Sequence, residues 1–587
     1  MPPDFQFVGV ARPGDDQPAL AEWARSLQRR IRQRGINTFI LHGPGVRDIH
    51  PLGARRHGTI GQFLGEVMFS DRAVIVLYDR GSGIRFNDPA AEQDFRVVLK
   101  AYDKVGGTNL AQAQPRDPDR ALQVVETYLL YQLKENPRFS AAVIIDFAET
   151  VAPAGNPGQL PVEDRNAIVT LRRWSADPTF LQRNVTFCLI SESTAALNEA
   201  LVADARTFEL TVPVPDERER YAYLAGRGAT PQTFSRIDAR KVAVLTSGLT
   251  CLHLESLLAE ADSNGAALDA EALSREKKRL IEEASGGLLS FLTSSTGLDA
   301  VAGHEGAKAL LRETAAALRE GRLDVVPMGF LVCGPVGTGK SFMVRCFAAE
   351  IGIPVVELLN FRSMWQGQTE ANLERILGLL DALGPVAVVV DEADAALGNR
   401  ELKGADSGVS ERVFASLAAF MGDTRRRGKV IWFLMTSRPD LVPVDLKRQG
   451  RAEEHIALFP PSTGEERAQV FESLRARLQI PLEPGAQAAE LFRDVPHAMS
   501  PADIEAVLVR ASRRMAIEKQ PALSARLLQE LIADFQPPAY PAEIEYQRLI
   551  AAFECTSRQL LPPDLAALSH EAIAERLTAL RGVLGRP

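Results

Sequence analysis

The segment FLVCGPVGTGKSF (330–342) carries residue types that bind phosphate. It consists of an apolar run, then G-x-x-x-x-G-K-S, then a helical pattern. Glycines in such a loop let backbone N–H groups close around phosphate oxygens, and the helix N-terminus adds its positive dipole end. We expect Lys340 to reach the β- and γ-phosphates and Ser341 to bind magnesium. The candidate phosphate-binding residues are Gly334, Pro335, Val336, Gly337, Thr338, Gly339, Lys340, Ser341 and Phe342.

A second apolar run, VAVVVDEAD (386–394), ends in acidic residues. Asp391, at the end of a predicted buried strand, supplies a carboxylate that can hold magnesium. The adjacent Glu392 can orient and deprotonate an attacking water. Together with the glycine-rich loop, these two acids predict hydrolysis of a magnesium-bound phosphate.

The elements that must position these residues occur twice along the chain. Both halves alternate apolar, β-branched runs with amphipathic segments, which is typical of parallel sheets covered by helices. AAVIIDFAET (141–150) resembles VAVVVDEADA (386–395), and VTFCLIS (185–191) resembles VIWFLMTS (430–437) at nearly the same spacing. This repetition indicates a tandem duplication.

The predicted fold class is therefore α/β, with two tandem modules, each a parallel sheet sandwiched by helices and followed by a small helical lid, and with a helical C-terminal tail. The charged and then Gly/Ser/Thr-rich stretch at 273–297 predicts a hinge. The predicted domains are a first module at 1–285 (core about 1–215, lid about 216–285), a second large subdomain at 286–460, its lid at 461–535 and the tail at 536–587.

Composition narrows the class of partner. The chain has 67 Lys and Arg against 75 Asp and Glu, a net charge of −8, which lacks the basic excess that nucleic-acid binding demands. Its five cysteines contain no CxxC pair and predict buried free thiols in a reducing compartment. The N-terminus does not read as a signal peptide, and no apolar window reaches the roughly 18 residues of a membrane span. We expect a cytoplasmic protein that binds neither nucleic acid nor membrane.

Residues 298–535 resemble the AAA+ ATPases, in the group of the proteasomal ATPases, membrane-bound metalloprotease ATPases and tandem-module unfoldases. Beyond the Walker A loop and Walker B strand described above, the resemblance rests on MTSRPDLVPVDLKRQGRAEEH (435–455) and MSPADIEAVLVRAS (499–512). It implies that the protein hydrolyses ATP with magnesium, that it forms a homo-oligomeric ring, expected to be a hexamer, and that its substrate is a protein.

The same resemblance adds two catalytic residues to Glu392. Ser437 stands where the family has an asparagine that senses the γ-phosphate, so turnover is expected to be slow. The family's G-R-F-D-R carries two arginines that reach the neighbouring subunit's phosphate. Here Arg451 matches the first, whereas Glu454 stands at the second and cannot neutralise phosphoryl charge. We expect weakened coupling between subunits.

A pore loop is also implied by the resemblance. SMWQGQTEANLERI (363–376) matches the family's loop that grips polypeptide in an axial channel, with Met364, Trp365, Gln366 and Gly367 at its tip. A tryptophan is more often a core residue, but the polar and flexible neighbours favour a loop. The leading hypothesis is a ring that remodels, unfolds or disassembles proteins. One alternative is an ATP-gated assembly scaffold for a multiprotein machine, such as a phage-tail-like particle, without translocation; a less favoured one is a nucleic-acid motor.

The first copy lacks the water-activating acid, because Phe147 replaces Glu392 after the shared aspartate. Its phosphate loop could align with 42–50 or with 78–86, and neither segment contains the lysine. Glu149 could substitute for Glu392 only along a different backbone path. We therefore predict an eroded first module and an intact second one. This arrangement also resembles a bacterial and plastid tandem-AAA family, through 275–291 and 406–421.

Overall fold

The computed structural model shows two compact units. One comprises residues 1–285 together with 368–383, and the other comprises 286–367 together with 384–587. The structure describes residues 20–585 except 34, 54, 107–108, 112–113, 137, 157, 228–238, 265–269, 295, 360–368, 398–406, 485–487, 494, 496–498 and 537–539.

The first unit is built on a six-stranded sheet of order β5-β4-β6-β7-β1-β8, in which only β5 is antiparallel to its neighbour. Strands β6 and β7 are buried throughout, as expected for central strands covered on both faces. The strands are β1 (Thr38–His42), β2 (His50–Pro51), β3 (His57–Gly58), β4 (Val74–Asp79), β5 (Gly83–Phe86), β6 (Ala141–Ile145), β7 (Val185–Ile190) and β8 (Thr207–Thr211), with β2 and β3 forming a separate pair.

Helices pack apolar side chains against the two faces of this sheet. One cluster is centred on Tyr128, Trp174 and Phe187, and the other on Trp23 and Phe63. The helices are α1 (Glu22–Arg32), α2 (Ile60–Phe63), α3 (Pro89–Gly106), α4 (Pro118–Glu135), α5 (Val162–Ala176), α6 (Pro178–Gln182), α7 (Glu199–Val202), α8 (Glu217–Gly226), α9 (Ala239–Leu245), α10 (Cys251–Asn264) and α11 (Ala270–Ala284), together with α14 (Thr369–Ala382), numbered in chain order.

The second unit has a six-stranded sheet of order β14-β10-β13-β12-β11-β9, with β9 antiparallel to β11 and the other pairs parallel. Its central strands β10, β12 and β13 are buried at every residue. The strands are β9 (Leu289–Phe291), β10 (Gly329–Cys333), β11 (Val355–Leu358), β12 (Val386–Val390), β13 (Val430–Thr436) and β14 (Glu454–Ala457).

Helices of the second unit cover its sheet, form a separate lid and continue into the C-terminal region. The lid has its own apolar core around Phe471, Phe492 and Leu508. The helices are α12 (Glu305–Arg319), α13 (Lys340–Glu350), α15 (Ala393–Leu397), α16 (Ser407–Met421), α17 (Val444–Lys447), α18 (Gly464–Arg477), α19 (Ala488–Arg493), α20 (Pro501–Glu518), α21 (Ala525–Asp534), α22 (Pro541–Glu554), α23 (Pro563–Ala566) and α24 (His570–Val583).

The predicted α/β fold class is confirmed, with two mostly parallel sheets and a helical C-terminal region. Read by sheet position, β1, β4, β6, β7 and β8 take the places of β10, β11, β12, β13 and β14. The five cysteines are free thiols, four of them buried and Cys555 partly exposed. Among the described helices, none combines the length and apolar character that crossing a membrane requires.

Candidate active site

The glycine-rich loop of the second unit joins the buried strand β10 to helix α13. Gly334 adopts a φ of 146°, and a Cβ there would lie 2.1 Å from the backbone oxygen of Leu458, so no larger residue fits. Gly339 caps the helix with a φ of 90°, in the left-handed region that favours glycine. The loop therefore presents its backbone at the N-terminus of α13, where the helix dipole favours an anion.

Lys340 lies inside this loop. Its ammonium donates hydrogen bonds to the backbone oxygens of Gly334 and Pro335, at 2.8 and 3.0 Å. Burial lowers its pKa to about 8, with Cys333, Asp391 and Asp394 opposing the shift. A negatively charged phosphate beside this ammonium would stabilise its charged form and offset the effect of burial. The position of Lys340 therefore suits the predicted contact with phosphate.

Ser341 and Asp391 come together as predicted. The hydroxyl of Ser341 donates to Asp391 Oδ2 at 2.9 Å, and Asp391 directly follows strand β12. A hydroxyl and a carboxylate oxygen at the same point are the donor types that Mg²⁺ prefers, with phosphate oxygens and water supplying its remaining ligands. These residues therefore fit a magnesium ion, and Ser341 and Asp391 would hold it.

Glu392 follows Asp391 in left-handed backbone, with a φ of 49°, and its side chain is exposed. Its N–H donates to Asp391 Oδ1 at 2.8 Å, and its backbone oxygen accepts from two residues of helix α15. This conformation is uncommon for a residue with a side chain and persists only where the surroundings hold it. The turn directs the carboxylate away from the core, where it can meet water.

Ser437 directly follows strand β13, beside two contacts that the sequence reasoning missed. Thr436 donates from its hydroxyl to Asp394 Oδ1 at 2.7 Å, which ties the end of β13 to the segment after β12. Arg438 pairs with Asp440 through two hydrogen bonds of 3.0 and 2.8 Å. The only sequence signal for the first contact was the second aspartate in D-E-A-D.

Arg451 does not join this group in the single chain. Its guanidinium donates to the backbone oxygen of Asp445 at 2.7 Å, and its side chain is 12% exposed. Glu454 begins strand β14 and accepts from the Thr556 hydroxyl at 3.2 Å. The pore-loop residues Met364, Trp365, Gln366 and Gly367 lie outside the described residues.

The remaining loop residues pack against the lid and the C-terminal region. Gly337 accepts from the N–H of Ala502, at the start of lid helix α20. The N–H of Val336 donates to Gln547 Oε1 at 3.0 Å, a contact with the C-terminal region that the sequence did not predict. Thr338 donates to the backbone oxygen of Pro335, and Phe342 lies under the guanidinium of Arg477.

The first unit places different chemistry at the equivalent position. Strand β1 lies between β7 and β8 as β10 lies between β13 and β14, so the loop at 42–50 corresponds to the phosphate loop. The alternative segment, 78–86, forms the β4–β5 hairpin instead. Where the second unit has glycine, threonine and lysine, this loop has Val46, Arg47, Asp48 and Ile49.

Arg47 binds acidic residues of its own unit. It lies 2.6 Å from Asp146 and 3.4 Å from Glu192, and its guanidinium carbon lies 3.8 Å from the centre of the Phe147 ring. Glu149 lies 3.8 Å from the same guanidinium. An arginine thus occupies the ring of carboxylates that surrounds the end of β6, and Asp146 is already paired with a cation.

Asp48 is buried against the start of helix α10. Its carboxylate accepts from the N–H groups of Cys251 and Leu252, both at 2.9 Å. Burial raises its pKa to about 6, although these backbone hydrogen bonds oppose the shift. A side-chain anion thus satisfies a helix N-terminus beside the loop at 42–50.

Three segments of the chain match protein-family models. Residues 12–213 match "AAA+ chaperone, N-terminal Rossmann-like domain", residues 216–286 match "AAA+ chaperone, second helical domain", and residues 330–459 match "ATPase family associated with various cellular activities (AAA)".

Individual relatives each match part of the chain. The Cell division cycle protein 48 homolog of Archaeoglobus fulgidus is 33% identical over 187 residues, which are 31% of this chain and 24% of the relative. Peroxisomal ATPase PEX6 of Colletotrichum orbiculare is 28% identical over 265 residues, 41% of this chain and 19% of the relative. The uncharacterized AAA domain-containing protein ycf46 of Trieres chinensis is 27% identical over 233 residues, 38% of this chain and 46% of the relative.

The matches span less than half the length of each of these relatives. The AAA family-model match, residues 330–459, covers the second unit's loop, both acids and the strand before Ser437. The chain therefore carries two domains of AAA+ chaperone type, one Rossmann-like and one helical, followed by an AAA-family ATPase domain.

Proposed function

We propose that the protein forms an ATP-hydrolysing AAA+ ring that remodels, unfolds or disassembles protein substrates, with catalysis in its second module only. The observation that carries the proposal is the difference between two strand ends. After β12, Asp391 lies 2.9 Å from the Ser341 hydroxyl and precedes the exposed Glu392, whereas after β6, Asp146 is paired with Arg47. The domain division predicted from the sequence, with modules at 1–285 and 286–535, belongs to this proposal.

The candidate site residues of the second module would have separate tasks in hydrolysis. Lys340 exchanges its two backbone contacts for phosphate oxygens, and Ser341 and Asp391 hold the magnesium ion. When bound, the metal neutralises charge on the phosphates. Glu392 accepts a proton from the attacking water, and Ser437 orients that water or the γ-phosphate.

The ring supplies what one chain lacks. In a hexamer, Arg451 would leave its contact with Asp445 and reach the nucleotide of the next subunit, where an arginine contributes roughly 10³–10⁵ in rate. Trp365 at the pore-loop tip would grip the polypeptide. Trp365→Ala should therefore leave basal hydrolysis intact and abolish remodelling, whereas it would change little in a scaffold without translocation.

The decisive experiment measures ATP hydrolysis and particle mass, with and without ATP, for the wild type and Glu392→Gln. Glutamine keeps the size of the side chain but cannot accept the proton, so turnover should fall by about 10²–10⁴-fold. We expect the variant to accumulate as an ATP-dependent hexamer. Hydrolysis that survives Glu392→Gln would overturn the assignment of catalysis to the second module.

A further inference from the structure

We infer that the C-terminal extension, residues 541–583, is part of the nucleotide site: helix α22 orients the phosphate loop through Gln547, and the turn after it forms one wall of the base cavity through Leu560. The inference rests on the proposed hydrolysis of ATP by the second unit. It assigns the extension a place in nucleotide binding.

Gln547 bonds the phosphate loop directly. Its Oε1 accepts the N–H of Val336 at 3.0 Å, and its Nε2 donates to Glu543 Oε1 at 3.1 Å. Because a carboxylate can only accept from the amide nitrogen, Glu543 fixes the amide with its oxygen towards the loop. Gln547 is 5% exposed, so the N–H of Val336 would lose its partner if this side chain changed.

Further contacts hold α22 against the strand ends around the site. The Tyr546 hydroxyl donates to Asp440 Oδ2 at 3.0 Å, and Asp440 in turn binds Arg438, the residue after Ser437. Glu554, at the end of the helix, pairs with Lys447. The helix is thus anchored next to Gln547 and at its C-terminal end.

The second contact is at a cavity of about 230 Å³ in the same unit. Its lining includes residues 302–307, Phe459 and residues 559–563 of the extension. The cavity also includes Pro501, whose neighbour Ala502 donates to the phosphate-loop residue Gly337, so it adjoins the phosphate position.

The extension approaches this cavity through an apolar side chain. A Cβ placed on Gly306 would lie 3.0 Å from Leu560 Cδ2, so Leu560 packs closely on this glycine, the second residue of helix α12. An apolar wall of this kind suits the flat face of a purine base, whereas the polar phosphates belong at the glycine-rich loop.

The test compares nucleotide binding in three full-length variants. Gln547→Met keeps the length of the side chain and removes the acceptor, Leu560→Ala opens the base wall, and Arg548→Met serves as the matched control. Arg548 lies on the same helix but pairs with Glu545 and Asp564, within the extension. Calorimetry gives the Kd for ATP and for inorganic tripolyphosphate, which lacks the base, and the melting temperature reports folding.

We expect Gln547→Met to raise the Kd of both ATP and tripolyphosphate by about threefold to tenfold, since one hydrogen bond to the loop is lost. Leu560→Ala should raise the Kd for ATP by about fivefold and leave tripolyphosphate binding within twofold. Arg548→Met should leave both constants within twofold, since its ion pairs lie within the extension.

Two results overturn the inference. The first is that the Kd values of Gln547→Met and Leu560→Ala match those of the control. The second is that the Kd changes in all three variants and simply follows the melting temperature. Lys340→Ala separates this failure from failure of the proposed function. If the wild type and the extension variants bind ATP equally well and Lys340→Ala does not bind it, only the role inferred for the extension is wrong. If the wild type binds no ATP, the proposed function itself fails.

Discussion

Asp391 and Asp146 end the equivalent strands of two sheets that share their strand order, yet they have different partners. Asp391 faces a serine hydroxyl and is followed by Glu392 at a φ of 49°. Asp146 faces Arg47 and is followed by Phe147 at a φ of 50°. The strained backbone is the same in both units, whereas the side chains differ in charge. Backbone geometry has thus been retained where the chemistry has not.

The difference lies in where the positive charge comes from. In the second unit Asp391 accepts from the Ser341 hydroxyl, and the proposed magnesium ion would supply its cation, while Lys340 donates to two backbone oxygens of the loop. In the first unit Arg47 supplies the cation from the chain itself and contacts Asp146, Glu149 and Glu192. A metal ion at Asp146 would have to displace Arg47 and break this ion pair, which disfavours metal binding there.

The same substitution at both strand ends gives the sharpest test of this comparison. Asp391→Asn removes the proposed magnesium ligand, and a bound metal contributes several kcal/mol to the transition state, so kcat should fall by about 10²–10³-fold. Asp146→Asn should leave ATP hydrolysis within twofold of the wild type. Both rates are measured at saturating ATP and magnesium. A comparable loss in the two variants would mean that the first unit also supports catalysis.

Asp48, in the first unit's loop, gives a further prediction, because burial makes its contribution to stability depend on pH. Its pKa rises from 3.8 to about 6, so between these values the folded protein binds a proton more tightly than the unfolded chain. The stabilising effect of that proton is complete below pH 3.8 and is lost as the pH rises through 6. It corresponds to about 3 kcal/mol.

Asp48→Asn should therefore gain stability relative to the wild type as the pH rises from 4 to 7, since the amide still offers an oxygen to the helix N-terminus but no buried charge. Melting temperatures of both proteins over this range check the prediction. The neighbouring His50, whose pKa burial lowers to about 4, changes stability in the opposite direction, but it is common to both proteins and cancels in the difference. A pH-independent difference would contradict the burial argument.

The sequence predicted the second unit's site better than the first's, and the reason is physical. Gly334, Lys340 and Ser341 follow one strand and Asp391 follows another, and parallel strands bring their carboxyl ends to one edge. Their residue types are also restricted, because only glycine fits at Gly334. The residue pattern and its spacing were therefore enough to predict which of these side chains lie together in the second unit.

Contacts made over long sequence separations escaped prediction. Nothing in the residues around Gln547 indicates that its amide binds Val336, because that contact depends on how a C-terminal helix packs. Likewise, Arg47 gave no sign of its pairing with Asp146 until the order of the strands identified 42–50 as the equivalent loop. Assigning that loop from sequence was ambiguous because its lysine and two of its glycines are absent.

The smallest expected effect concerns Phe147, which stands in the first unit where Glu392 stands in the second. The Phe147 ring is 45% exposed and lies 3.8 Å from the guanidinium carbon of Arg47, a distance at which a cation is attracted to the ring face. Phe147→Leu removes that attraction and should lower the free energy of unfolding by about 0.5–1 kcal/mol, whereas Phe147→Tyr keeps the ring and should change it less. Urea denaturation of both variants measures the difference. Equal losses of unfolding free energy in Phe147→Leu and Phe147→Tyr would show that the ring does not hold Arg47. The arginine would then be kept at Asp146 by its ion pairs alone.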